Sequence, residues 1–343
     1  MNKLLAIYRK DRHIARLVVM IVAWCVFMAI TRFNKFYTVI NFTTMAGQFP
    51  EFGIMALGGM LCMITGGIEL SSVGVANITA ITMGMFMKTQ MDAEGSISAG
   101  IIVASFALAI CLGCVIGCFN GFLISKIKIP PILATLGVNQ LVTGISMVIT
   151  GGNAVSDLPM NYAETINQKL LKIIPGKRGI MQGVLPVQLI FFVVITVLVW
   201  FLLARTTYGK KIYMIGTNEN VARFSGVKVD QMLIKTYALS GIFAAISGMI
   251  MLANYNSARS DYGSVYTMQC ILIVVLGGVD PKGGRGKISG VLMAIVLLRL
   301  LETGINRFPQ ISSYYITLIY GAVLLLVMVL NYFVDHPIAK KKA

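Results

Sequence analysis

The sequence predicts an all-α polytopic membrane protein with about ten transmembrane helices. Of its 343 residues, 57% are hydrophobic and only 12% are charged, whereas soluble proteins usually carry about 25% charged residues. The apolar residues fall into long runs. The net charge of +16 comes mainly from Lys and Arg in the polar segments between those runs. In membrane proteins, Lys and Arg in the loops set the orientation of the spans, and this distribution fits that role. The sequence has no patch of basic and aromatic residues, which argues against nucleic acid as a partner.

Ten apolar runs approach the roughly 20 residues that a helix needs to cross a bilayer. The first follows several basic residues, as a signal peptide would, but no small-residue cleavage site comes after it. We therefore expect a retained span. The second is expected to open at Phe49-Pro50. The ten predicted spans are 14–30, 48–66, 71–89, 97–118, 131–150, 187–204, 231–254, 265–279, 287–304 and 312–331.

The basic residues also predict the orientation of the chain. Between the predicted spans, within one residue of their ends and at the termini, seventeen Lys and Arg fall on one side and nine on the other. The side richer in Lys and Arg faces the cytoplasm, so we expect both termini and the loop 205–230 inside and the loop 151–186 outside. Within the external loop, residues 161–173 alternate at roughly helical spacing. They predict a short helix on the outer surface, where an external partner can bind.

The loop 205–230 carries five Lys or Arg and two acids. Its Gly216-Thr-Asn sequence can cap a short helix at Glu219–Ser225, with Gly226 as its stop. A helix of this length is unstable alone, so we interpret it as a docking surface with Phe224 as its apolar anchor. The alternative is an amphipathic loop lying on the lipid headgroups. The candidate docking residues are Gly216, Asn218, Glu219, Arg223, Phe224 and Gly226.

A polar, Gly-rich break, Gly66-Gly-Ile-Glu-Leu-Ser-Ser-Val-Gly74, separates the second and third spans. Unwound backbone at membrane depth is tolerated only where protein buries it or where it lines a wet cavity, and an acid there is a functional candidate. The alternative is a tight cytoplasmic turn in which Glu69 faces water. Asn139 and Gln140 are amides within the fifth span, and hydrogen bonds between helices are the alternative there to contact with a transported solute. The candidate residues of the translocation path are Glu69, Ser71, Ser72, Asn139, Gln140 and Gln269.

A second Gly-rich segment, 276–290, joins the eighth and ninth predicted spans. It looks like a phosphate-binding loop, but Pro281 stands where that pattern has glycine and Ile288 stands where it has Ser or Thr, so it does not predict nucleotide binding. The six cysteines lie inside apolar runs and the two histidines near the termini, a pattern that predicts no metal site and no catalytic residue. The candidate glycines of this turn are Gly277, Gly278, Gly283, Gly284 and Gly286.

Three stretches taken together carry a family resemblance: 66–71, 216–226 and 276–286. With them, residues 40–330 resemble the permease subunits of the ribose/xylose/galactose/autoinducer-2 class of ATP-binding-cassette (ABC) importers. The family's first motif usually has Asp and a single Ser, whereas this chain has Glu69 and Ser71-Ser72. The resemblance implies a type II ABC importer-like permease, residues 1–343 forming a single transmembrane domain. It implies no cofactor on this chain, with ATP and Mg²⁺ on a partner ATPase.

The resemblance also implies the partners and the location. These are an ABC ATPase subunit docked on the coupling residues, a second permease copy or a paralogue, an extracytoplasmic solute-binding protein and membrane lipid, in the bacterial plasma (inner) membrane. The transported solute would be a small sugar or a sugar-like molecule, which the sequence does not identify. The competing interpretations are an ion-coupled secondary transporter, with Glu69, Arg299 and Glu302 in its coupling path, and a channel or scaffold.

Overall fold

The computed structural model describes residues 12–93, 95–175 and 181–310, together with a few positions between 315 and 325. Almost all regular structure in this part of the chain is helical. The elements are α1 Arg12–Phe36, α2 Val39–Ile64, α3 Ser72–Thr89, α4 Ala99–Ser125, α5 Pro131–Thr150, α6 Met160–Asn167, β1 Lys169–Pro175, β2 Met181–Pro186, α7 Val187–Arg205, α8 Thr207–Thr217, α9 Glu219–Phe224, α10 Val229–Tyr255, α11 Ser264–Leu276 and α12 Ile288–Ile305. Among these described elements, seven helices are long and apolar enough to cross a membrane: α1, α2, α4, α5, α7, α10 and α12. The all-α membrane fold is confirmed.

Nine of the ten predicted spans coincide with helices of the described residues, and the tenth, 312–331, lies mostly outside them. The predicted start of the second span at Phe49-Pro50 is wrong. The helix α2 begins at Val39, where the side chain of Thr38 caps it, and Pro50 lies inside the helix. Proline is tolerated within membrane helices because neighbouring groups satisfy the backbone that it frees.

Helices α2 and α10 form the centre of the bundle. In their most apolar windows, 78% of the residues of α2 and 83% of those of α10 are buried, against 22% for α4 and α7. The outer helices expose apolar side chains on one face, as lipid-facing helices do. The two central helices are therefore the elements through which one side of the molecule can act on the other.

Close packing of α10 against α4 depends on small residues. Gly113, Gly117 and Gly121 recur every fourth residue on α4, and a Cβ at any of them would collide with the backbone of α10. Small residues at this spacing let helices approach closely in a membrane. The cysteines on the same helix, Cys111, Cys114 and Cys118, are free thiols.

The segment 151–186, predicted to be external, differs in part from its prediction. Helix α6 ends at Asn167, and the following residues form β1, which pairs with β2 in an antiparallel hairpin. The expected helix over 161–173 is therefore correct only in its first half. Residues 169–174 read Lys-Leu-Leu-Lys-Ile-Ile, with a polar residue at every third position as in a helical turn. The hydrogen bonds of β2, which lies further along the chain, decide in favour of the strand.

The loop 205–230 contains more structure than predicted. The short helix after Asn218 is confirmed as α9, but the helix α8 before it was missed. Gly209, Ile212 and Ile215 of α8 are buried, and α8 packs against α7 and α2. Sequence reasoning treated this stretch as a polar loop because its apolar residues are few, and only packing shows that they share one face.

Candidate functional site

The C-terminal end of α2, which the charge distribution predicts to face the cytoplasm and which we call its inner end, stops in a cap of backbone hydrogen bonds. Gly66, at φ +87°, donates from its N–H to the carbonyl of Met63 at 2.9 Å, and the N–H of Gly67 reaches the carbonyl of Cys62 at 3.2 Å. This is the Schellman arrangement, in which glycine takes the left-handed conformation. It leaves the carbonyl of Ile64 free to accept a hydrogen bond from elsewhere in the chain.

The three stretches that carry the family resemblance meet at that carbonyl. The N–H of Gly284 donates to it at 2.8 Å. A Cβ at Gly216 would overlap both groups, and one at Gly283 would lie 2.6 Å from the nitrogen of Gly66. Tyr213 of α8 ties the same elements together, since its hydroxyl donates to the carbonyl of Gly286 at 2.7 Å. We call this contact of Ile64, Gly66, Gly216, Gly283 and Gly284 the glycine junction.

The other two candidate glycines of the turn also make close contacts. A Cβ at Gly277 would lie 2.7 Å from the Cα of Val291, and one at Gly278 would lie 3.2 Å from the ring of His13. The turn is therefore packed against the first turn of α12 and against α1. Since no side chain larger than hydrogen fits at several of its positions, the segment works as a packed backbone connector rather than as a phosphate loop.

Helix α9 is held by an ion cluster. Glu219 accepts from Arg223 at 2.8 Å and from Lys128 at 3.1 Å, while Asp230 accepts from Lys126 at 3.1 Å and also from Arg223. Burial raises the pKa of Glu219, but the hydrogen bonds from Arg223 and Lys128 outweigh that effect and hold the pKa below its ordinary value. The cluster joins α9 to the turn between α4 and α5, so the predicted rim charges have partners within the chain.

The apolar tip of α9 points away from the protein. Asn218 caps the helix by accepting the N–H of Val221 at 3.1 Å, and Gly226 follows it at φ +78°, so the predicted start and stop are confirmed. Phe224 is 93% exposed. The result is a short helix fixed at both ends that presents one large aromatic ring outward.

The break between α2 and α3 is buried. Glu69 is only 9% exposed, which contradicts the alternative of a carboxylate facing water. One of its oxygens accepts from the backbone N–H of Ser71 at 2.6 Å and from the hydroxyl of the same residue at 2.5 Å. Glu69 thus satisfies polar groups of the unwound backbone at the start of α3.

Neighbouring helices brace the same break. Asn120 of α4 donates to the hydroxyl of Ser71 at 2.8 Å, and Thr135 of α5 donates to the carbonyl of Ile68 at 3.0 Å. Asn139 of α5 accepts the N–H of Gly74 at 3.1 Å. Asn139 therefore makes an interhelical hydrogen bond, whereas Gln140, beside it, lies exposed on the outer face of α5.

A groove runs between α2 and α11 and ends at the break. Its walls include Met55, Gly59 and Met63 of α2 and Thr267, Cys270, Ile271 and Val274 of α11, and Glu69 and Ser72 close its inner end. Ser71 lies behind it, and Gln269 is 2% exposed on another face of α11. The free volume of about 10 Å³ holds one water molecule at most, so in this state no sugar fits inside the groove.

Sequence reasoning missed a second buried acid. Glu51, in the outer half of α2, is 2% exposed and is not among the sequence candidates. The signal for it is an acid directly after Pro50 within an apolar run, at a position that the sequence analysis treated only as the start of the second span. Among the described residues, no group of three His, Cys, Asp or Glu side chains is arranged to hold a metal ion.

A bundle with seven apolar helices long enough to cross a membrane, a buried break after its central helix α2 and a short helix with an exposed apolar tip together define a multi-pass membrane protein. The comparisons with known proteins give the family. The model of the branched-chain amino acid transport system permease components matches residues 41–328, and the chain belongs to this family.

Individual relatives of the chain are also import permease proteins. The ribose import permease protein RbsC of Bacillus subtilis is 33% identical over 303 residues, which cover 87% of this chain and 86% of that protein. The RbsC protein of Escherichia coli K12 is 31% identical, with 87% of each chain covered. The autoinducer 2 import system permease protein LsrD of Yersinia enterocolitica is 31% identical, covering 85% of this chain and 82% of its own. No solved structure matches the chain. The resemblance predicted from the three motifs is confirmed.

Proposed function

We propose that this chain is the membrane-spanning permease subunit of an ABC importer that moves a small sugar or a sugar-like solute across the bacterial inner membrane. Relatives described as ribose and autoinducer 2 import permeases support the solute class. Their names differ in the molecule transported, so the proposal stops at the class. Residues 1–343 form one transmembrane domain in this proposal, with both termini in the cytoplasm.

The observation that carries the proposal is the exposed ring of Phe224 on a fixed helix. Phe224 at 93% exposure and Val221, one turn earlier at 55% exposure, form an apolar patch rimmed by polar residues, and an exposed patch of this kind marks a surface that a partner covers. Helix α9 follows Gly216 of the glycine junction after two residues and is tied by the ion cluster to the turn between α4 and α5, so a force on its tip reaches α8 and the junction. The occupant that fits is the ABC ATPase subunit, which carries ATP and Mg²⁺.

The remaining partners follow from the same proposal. A second permease copy or a paralogue lies against this chain, lipid surrounds the pair, and an extracytoplasmic solute-binding protein lands on the segment 151–186. Closure of the ATPase subunits moves α9, and the glycine junction passes that movement to α2. Because the groove beside α2 is too narrow for a sugar, the solute moves along its open side, between the two permeases.

Phe224→Ala tests the proposal. An anchor of this kind contributes about 2 kcal/mol to an interface, or roughly 30-fold in affinity, so we expect ATP-dependent uptake and ATPase co-purification to fall by at least tenfold while thermal stability stays unchanged. Phe33→Ala is the matched control, because Phe33 of α1 is also exposed but lies away from α9. Wild-type uptake by Phe224→Ala would remove the docking role and favour a loop lying on headgroups.

An ion-coupled transporter is the second candidate, and the buried Glu69 in a helix break favours it. The two functions differ in their energy source. Uptake that stops on ATP depletion while the proton gradient is maintained supports the importer. Uptake that survives ATP depletion and stops when the gradient collapses supports the ion-coupled candidate.

A further inference from the structure

Glu51 sits where three helices meet in the outer half of the bundle. Tyr266 of α11 donates to its carboxylate at 2.9 Å, Tyr255 of α10 donates at 3.3 Å, and Asn254 of α10 donates to the other oxygen. A buried carboxylate of this kind is stable because each oxygen receives a donor. Glu51 thereby joins α2 to α10 and α11 through side chains alone.

This cluster continues to the outer surface of the protein. Gln188 of α7 donates to Asn254 at 2.9 Å and to Asn167 at 2.5 Å. Asn167 is the last residue of α6 and donates to the carbonyl of Ala253 at 2.7 Å. An unbroken series of side-chain hydrogen bonds therefore leads from the external helix α6 to the middle of α2.

The cluster also lies at the outer end of the groove. Met55, one helical turn inward from Glu51, lines the groove, as do Thr267 and Cys270, which follow Tyr266 on α11. The thiol of Cys270 contacts the carbonyl of Phe52 at 3.5 Å. The hydrogen bonds around Glu51 therefore hold α2 and α11 together just where the groove would have to open outward.

We propose that Glu51 is a positioning residue that works as an outer latch. Its hydrogen bonds hold α2, α10 and α11 closed at the outer end of the groove, and Gln188 connects this latch to α6. Displacement of α6 moves Asn254 away from Glu51 and loosens the latch. The inference rests on the proposed function only in treating the groove as part of the solute path, and the latch itself is a property of the permease alone.

Cys270 provides a natural reporter, since this buried thiol should become reactive when the groove opens. Versions with Cys270 as the single cysteine are placed in liposomes and treated from outside with a membrane-impermeant methanethiosulfonate. Breaking a buried hydrogen bond costs about 1–3 kcal/mol, so we expect Glu51→Leu to raise the labelling rate by roughly tenfold or more. Glu51→Gln should raise it less, because the amide still accepts one hydrogen bond.

Two further variants separate the latch from general loosening. Gln188→Met removes the hydrogen bonds from Gln188 to Asn254 and Asn167 and leaves Glu51 itself unchanged. Because Asn254 then loses the support of α6, this variant should also raise the labelling rate. Tyr162→Phe is its matched control, since it removes another hydrogen bond between α6 and α10, the one from the Tyr162 hydroxyl to the carbonyl of Met249 at 2.6 Å. It lies outside the latch and should leave the rate unchanged.

Cys62, buried near the inner end of α2, is the internal reference as a single-cysteine version. The latch is wrong if Glu51→Leu and Gln188→Met leave the Cys270 rate at the wild-type value, if Tyr162→Phe raises it as much as Gln188→Met, or if Cys62 becomes reactive to the same degree. Should Glu51→Leu fail to insert, Gln188→Met carries the test. No ATPase and no solute enter the assay, so a failure of the importer proposal would leave this result intact.

Discussion

The inner end and the middle of α2 are held by different kinds of contact. At the inner end, the carbonyl of Ile64 meets the backbone of Gly284 and Gly216 with no side chain between them. In the outer half, Glu51 is held entirely by side chains of α10 and α11. The stretch of helix between them is about 20 Å long, so α2 connects one contact that cannot rearrange to another that can.

The difference shows how one helix can transmit movement at one contact and exchange hydrogen-bond partners at another. A backbone junction has no rotamers, and any displacement of α8 must move α2 with it or break the contact. A side-chain cluster can exchange partners at the cost of a few hydrogen bonds. The following predictions test whether the inner end is as rigid as this comparison requires, from the largest expected effect to the smallest.

Gly216→Ala should have the largest effect. The new methyl group would overlap the carbonyl of Ile64 and the nitrogen of Gly284. Forcing extra volume into a packed site costs about 1–3 kcal/mol or more, so we expect a lower unfolding temperature and loss of ATP-dependent uptake. Both are measured on purified protein and in proteoliposomes.

Gly144→Ala is the matched control for that variant. It also lies in a helix, α5, but a Cβ there meets nothing within 4 Å. Alanine is the better helix former by roughly 0.5–1 kcal/mol, so this variant should be neutral or slightly more stable. Equal stability of the two variants would show that the inner end can adapt, and the contrast between the inner end and the middle of α2 would fail.

Glu69→Leu should have the next largest effect, because the break adjoins the glycine junction. Leucine cannot accept the N–H and hydroxyl of Ser71, and each buried donor left unpaired costs about 1–3 kcal/mol. Glu69→Gln keeps an acceptor and should retain most of its stability and uptake. Folding is measured by thermal unfolding and transport by ATP-dependent uptake.

The pair of variants also tests what Glu69 does. If both insert normally, lose uptake to the same extent and leave ATP hydrolysis unchanged, a structural role in the break is wrong. A direct role of the carboxylate in transport would then have to be considered.

Lys128→Gln should have the smallest effect. It removes one contact of Glu219 in a cluster whose Lys128 and Glu219 side chains are 54% and 45% exposed, and exposed ion pairs contribute about 0.2–1 kcal/mol. We expect a small loss of stability that disappears at high salt. The pKa of Glu219 in the folded protein is held below its ordinary value. The stabilisation by this ion pair is therefore complete at a pH above the ordinary pKa, and it is lost as the pH falls through the lower pKa of the folded protein. Thermal unfolding at two salt concentrations checks this, and a large, salt-independent loss would mean that the cluster is as rigid as the glycine junction.

Local patterns in the sequence were sufficient for much of the protein. Most helix limits follow from runs of apolar residues, because a bilayer imposes a fixed length on every span. The cap and stop of α9 follow from Asn218 and Gly226, since capping is a contact between near neighbours. Where Pro50 was read as a helix start and α8 as a loop, the local signal was ambiguous and packing decided.

What the sequence by itself determined is the class of the protein: the membrane fold, the short helix with Phe224 at its tip and the three motifs that identify the family. The tertiary structure alone decided that those motifs touch at Ile64 and that Glu51 joins three helices. The reason is physical. A span length, a helix cap and a motif depend on neighbours within a few residues. A glycine's close contact or a buried carboxylate's donors come from residues that lie more than 200 positions away and are brought together only by packing.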